Sequence, residues 1–169
     1  MSLDLAMTNG TRRFLEYARA HGYEPLLVEM KPSEGATTLV YRTYRTYFLV
    51  FQRQYPKQMV PRHVIRRIIS GKDVDPHREF RIRNLEAAYK DGEESVREEM
   101  QSGYMTPFVS PDFTDFSVYL DERSFKGGSE MSFPAGATGN GFALPARAVK
   151  DLLTGLYGTE RVFVRELLQ

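Results

Sequence analysis

The chain has 169 residues, the length of one ordinary domain. Lys and Arg total 23 against 22 Asp and Glu, a formal net charge of +1, and 41% of residues are hydrophobic. That composition supports a packed core and excludes a disordered polar chain. There is no cysteine, which excludes disulfides, thiolate zinc sites and a cysteine nucleophile.

The stretch Met1 to Met7 lacks the basic start and apolar run of a signal peptide. The longest uninterrupted apolar run, Tyr47 to Phe51, is far short of the roughly 20 residues of a membrane span. Together with the missing cysteines, this predicts a soluble, cytoplasmic protein with no membrane partner.

In chain order, the first predicted element is a helix capped by Thr11. Phe14, Leu15 and Ala18 share one face, and Gly22 sits where a left-handed C-terminal residue belongs. Tyr23 to Met30, with Leu26-Leu27-Val28 at its centre and Pro32 after it, reads as a short buried strand. Thr37 to Phe51 is rich in Thr, Val, Tyr and Phe, which favours strand. Yet no turn residue interrupts the run, and Val40, Tyr44, Tyr47, Phe48 and Phe51 fall at helical spacing. Helix is therefore slightly preferred over residues 36–54, with a long bent hairpin as the alternative.

Pro61 to Ser70 is predicted as an amphipathic helix, with proline at its first position and Gly71 past its end. Val64, Ile65, Ile68 and Ile69 form one stripe, and Arg62, His63, Arg66 and Arg67 the other. Phe80 and Ile82 alternate like a strand, Leu85 to Tyr89 continue as helix, and Asp91 to Gln101 is an acidic helical segment. After Gly103, glycine and proline punctuate short β-like runs, Phe116 to Leu120 and Glu130 to Phe133. Leu144-Pro145 opens a last helix with Ala148, Val149, Leu152, Leu153 and Leu156 on its apolar face. Glu160 to Leu167 closes the chain as a strand. The predicted class is α+β: a helix-rich basic N-terminal lobe, residues 1–104, then a smaller mixed lobe, 105–169, with β-strands and a C-terminal helix. One continuous domain is the alternative.

The small net charge conceals a division. Residues 1–90 carry +7 and residues 91–169 carry −6. Between Glu34 and Asp73 lie 38 residues without an acid but with eight bases: Arg42, Arg45, Arg53, Lys57, Arg62, Arg66, Arg67 and Lys72. Interleaved are Tyr41, Tyr44, Tyr47, Phe48, Phe51 and Tyr55. Basic side chains neutralise phosphates and release counterions, guanidinium forks suit phosphate bidentately, and aromatic faces stack on unpaired bases. The segment therefore points to nucleic acid. The plain counter-reading puts Tyr44, Tyr47, Phe48 and Phe51 in the core and pairs the arginines with Glu93, Glu94, Glu98 and Glu99.

Motifs for chemistry are weak. Glu29-Met30-Lys31 ends an apolar strand like half of a metal-dependent nuclease site, but the further carboxylates are missing before it. Asp73, Asp75, His77 and Glu79 gather oxygen and imidazole ligands in one short stretch, with His63 upstream, but Asp75 already serves as a helix cap. Ser129 and Ser132 have no G-x-S-x-G elbow. Gly136, Gly139 and Gly141 precede the last helix without the lysine of a P-loop, and read as a turn.

The sequence thus predicts a non-enzymatic nucleic-acid-binding protein acting through Arg42 to Lys72, with no catalytic residue, metal or cofactor assigned. The alternative is a structural or adaptor subunit whose basic half meets the acidic half of another copy or an acidic partner protein. A metal-dependent nuclease using Glu29 and the Asp73–Glu79 cluster comes third. An origin in a phage or mobile element suits so compact a chain without enzyme motifs.

Overall fold

The computed structural model describes residues 7–31, 35–43, 46–53, 80–82, 106–108, 116–125, 130–136 and 139–165. Helix α1 (Asn9–Ala20) begins at Thr8, whose hydroxyl accepts from the Thr11 N–H at 3.2 Å. The cap is therefore Thr8 rather than Thr11. Thr11 is buried one turn in, its hydroxyl 2.8 Å from that of Thr8. The helix ends as expected at Gly22, φ +87°. Gly22 N–H bonds Arg19 O and Tyr23 N–H bonds Ala18 O, the paired closure that a left-handed glycine permits.

Among the described residues, eight strands follow in two sheets. Strand β1 (Leu26–Glu29), β6 (Glu130–Pro134) and β7 (Asn140–Pro145) form an antiparallel sheet in the order β1-β7-β6. Strands β2 (Ala36–Thr43), β3 (Thr46–Arg53), β4 (Phe80–Ile82), β5 (Phe116–Asp121) and β8 (Val162–Arg165) form the other, in the order β4-β2-β3-β5-β8. Strands from both sides of residue 104 share each sheet, and the fold is mixed α+β. A 3-10 turn (Glu122–Phe125) leaves β5, and helix α2 (Ala146–Tyr157) joins β7 to β8. No helix among the described residues is long and apolar enough to cross a membrane.

Two expectations are corrected. Residues 36–53 are a hairpin and not a helix: β2 pairs with β3 from Ala36–Arg53 to Thr43–Thr46. The β-branched and aromatic run follows its strand propensity, and the helical spacing of Phe51 with its neighbours is incidental. The second correction is β1, a strand as predicted but not buried. It is an edge strand with Leu26 and Leu27 exposed.

The core lies between the sheets and helices α1 and α2. Phe14 and Leu15 from α1, Leu49 and Phe51 from β3, and Val118 and Leu120 from β5 are buried there. Met131 and Phe133 from β6 join Val149 and Leu153 from α2 in the same cluster. Phe108 is its aromatic hub, stacked on Phe14 and edge-on to Phe133 and Phe51.

Candidate functional site

The β2–β3 hairpin carries the described part of the basic run. Arg42 pairs with Tyr47 across the hairpin and with Phe80 on β4, near the end where the two strands connect. Arg53 pairs with Ala36 at the other end. The two pairs are six register steps apart, a span of about 20 Å at the usual rise per strand residue. Arg45, Lys57, Arg62, Arg66, Arg67 and Lys72 lie outside the described residues, as do His63 and Asp73 to Glu79. Of the aromatics, Phe51 is fully buried, which fits a core role.

Glu29 ends β1 and is exposed, as is Lys31, with Met30 buried between them. Among the described residues no three His, Asp or Glu side chains gather to hold a metal ion. Gly136 and Gly139 both take φ +87° and belong to the turn between β6 and β7, in line with the turn reading. Ser132 is a β6 residue paired with Ala143.

A polar face on β5 escaped the sequence reasoning. Along Phe116–Asp121, alternate residues turn to opposite sides. Phe116, Val118 and Leu120 join the core, and Ser117, Tyr119 and Asp121 occupy the other face. Tyr119 and Asp121 are nonetheless buried. Tyr119 stacks on Phe163, its register partner on β8, with ring centroids 5.2 Å apart. The Arg165 guanidinium lies 5.8 Å from the Phe163 ring centre. Asp121 accepts from the Ser124 hydroxyl at 3.3 Å, and Arg123 Nε approaches it at 3.9 Å. The strict period-two alternation of Phe-Ser-Val-Tyr-Leu-Asp is the signal that marks this face in the sequence.

Burial pushes the Tyr119 phenol above its ordinary pKa, and nearby Arg165 acts in the opposite sense. The face thus combines a phenol held neutral, a buried carboxylate and a hydroxyl. It lacks the base that a serine nucleophile needs. His21, the described histidine, is at the far end of α1, its ring bonded to Tyr17 O at 2.8 Å.

No family model and no curated protein matches the chain. Solved structures do match it in fold. A protein described as a putative trans-editing enzyme for prolyl tRNA synthetase aligns over 97% of this chain and 99% of its own, with TM-score 0.58 and 16% identity. A structure from epitope backbone grafting by computational design for presenting linear epitopes on scaffold proteins aligns over 96% and 99%, with TM-score 0.57 and 15% identity. A crystal structure of a hypothetical protein aligns over 88% and 95%, with TM-score 0.56 and 14% identity. At these identities the likeness is one of fold.

Proposed function

We propose that this chain is a nucleic-acid-binding protein and that its partner is tRNA. The observation that carries the reading is the acid-free run of 38 residues with eight bases. Arg42, Arg45, Arg53, Lys57, Arg62, Arg66, Arg67 and Lys72 neutralise phosphates, and the interleaved tyrosines supply stacking faces for unpaired bases. Arg42 and Arg53 belong to opposite ends of one hairpin. The choice of tRNA over other nucleic acids draws support from the fold shared with a putative trans-editing enzyme for prolyl tRNA synthetase. The test is fluorescence polarisation with labelled tRNA and duplex DNA at low salt. Saturable binding that prefers tRNA is expected, and absence of binding to either ends the reading.

The same likeness favours a second, catalytic reading, in which the chain edits mischarged tRNA. Editing removes a wrong amino acid by hydrolysis. Water adds to the ester carbonyl, the ester C–O bond breaks, the amino acid leaves as its carboxylate and the tRNA regains its hydroxyl. Asp121 and Ser124 are the buried polar pair beside β5 and are the residues to vary first. Release of amino acid from misacylated tRNA, slowed in Asp121→Asn, is the expected result. Binding without release leaves the first reading alone standing.

A further inference from the structure

Leu26 and Leu27 are the large hydrophobic side chains that stand exposed among the described residues, at 53% and 52%. Both lie on β1, the outer strand of the three-stranded sheet. Successive strand residues point to opposite faces, so each face of the edge presents one bare leucine. The backbone of the same strand is open as well. Met30 donates its N–H to Gly139 O at 3.1 Å, continuing the register that pairs Leu26 with Ala143 and Glu29 with Asn140. Antiparallel pairs alternate between hydrogen-bonded and non-bonded. Leu26 and Val28 therefore turn their N–H and C=O groups toward β7, and Leu27 and Glu29 turn theirs outward. Among the described residues nothing bonds them there. An apolar edge with open backbone groups is a template for another strand.

We propose that β1 pairs antiparallel with β1 of a second copy of this chain, about a two-fold axis at Leu27. A strand meeting itself across a two-fold must set outward-facing residues against outward-facing residues, which leaves few registers. With the axis at Leu27, that residue lies opposite the partner's Leu27, and Leu26 lies opposite the partner's Val28. The Leu27 pair exchanges two hydrogen bonds, and the Glu29 N–H of each copy reaches the Pro25 C=O of the other. Pro25 has no N–H, so the ladder ends there. Shifting the axis to Val28 sets Glu29 against the partner's Leu27, and shifting it to Leu26 loses half of the four bonds. Charge agrees with the Leu27 register. Glu29 faces the partner's Pro25, Lys31 faces the partner's Tyr23 and Met30 faces the partner's Glu24, so no like charges face each other. Stable interfaces bury about 1,200–2,000 Å². A pair of four-residue strands buries less, so this dimer is weak and concentration-dependent.

Sedimentation of the full chain over a wide concentration range tests the proposal. The mass is expected to rise from 19.5 kDa toward twice that value. Leu27→Glu and Leu27→Lys, which place like charges opposite each other, should each weaken association at least tenfold with unchanged circular dichroism. Mixing the two variants should restore a dimer, because position 27 faces itself. In the wild type, amide exchange at Leu27 and Glu29 should slow as concentration rises. A monomer at every concentration, association indifferent to charge at position 27, or variants that fail to pair when mixed would each overturn the proposal. So would exchange at Leu27 and Glu29 that is independent of concentration.

Discussion

Phe108 stacks on Phe14 with ring centroids 4.0 Å apart and planes at 22°. The contact fastens the short segment 106–108 onto helix α1, and the Phe133 ring meets both at an edge. All three rings are completely buried. Phe108→Ala removes the hub and leaves a cavity among aromatic walls, a change that costs about 3–5 kcal/mol. The urea midpoint should fall accordingly. Phe163→Ala, at a half-buried ring on the edge strand β8, should shift it less.

Two glycines of the β6–β7 turn separate backbone strain from crowding. Gly136 and Gly139 share φ +87°. A Cβ at Gly139 meets nothing within 4 Å, whereas one at Gly136 runs into the methyl of Thr8 and comes 2.8 Å from its hydroxyl. Gly139→Ala should cost about 1 kcal/mol, the left-handed penalty alone. Gly136→Ala should cost at least about 2 kcal/mol, because it also pushes Thr8 away from Thr11 and from Ala135 O. Equal costs in urea denaturation would contradict this account of the junction.

The sequence is most legible where local chemistry and long-range packing agree. Helix α2 starts just after Pro145, with Ala148, Val149, Leu152 and Leu153 buried as its spacing predicts. Phe116 to Leu120, Glu130 to Phe133 and the core of the last strand are strands. The hairpin β2–β3 was masked because Tyr44-Arg45, between its paired ends, contains no Gly, Asn or Asp to announce a turn. Val40 to Phe51 then satisfied a helical template by coincidence. The exposure of β1 was hidden for another reason: Leu26-Leu27-Val28 is a run with no polar alternation, and such runs ordinarily belong to buried strands. The polar face of β5 is covered by β8, whose Phe163 and Arg165 come opposite Tyr119 and Asp121 only through the parallel pairing of the two strands.

Tyr119 makes stability sensitive to alkali. Burial raises its phenol above the usual value of about 10. Between the unfolded and the raised folded pKa, the folded chain holds the proton more tightly than the unfolded chain. Its contribution is therefore fully present below about pH 10 and is lost as pH climbs through the folded value. Unfolding midpoints taken from neutral to strongly alkaline pH should decline more gently in Tyr119→Phe. The difference in ultraviolet titration between the two proteins should show a tyrosine that ionises late.

Thr38 on β2 is buried, and its hydroxyl makes no hydrogen bond among the described residues. A desolvated hydroxyl without a partner costs about 1–3 kcal/mol. Thr38→Val keeps the shape and suits a strand, so the thermal midpoint should hold or rise. A fall of several degrees would show that the hydroxyl has a partner under native conditions.

The central claim is that the acid-free segment neutralises phosphates of tRNA. Its most direct test is the slope of log affinity against log salt, compared between the wild type and the triple variant Arg62→Ala, Arg66→Ala, Arg67→Ala. Each lost phosphate contact removes about 0.7–0.9 from the magnitude of that slope. The account predicts a steep wild-type slope that falls by about 2–3 in the variant. An unchanged slope, or no affinity for tRNA even at low salt, would contradict it.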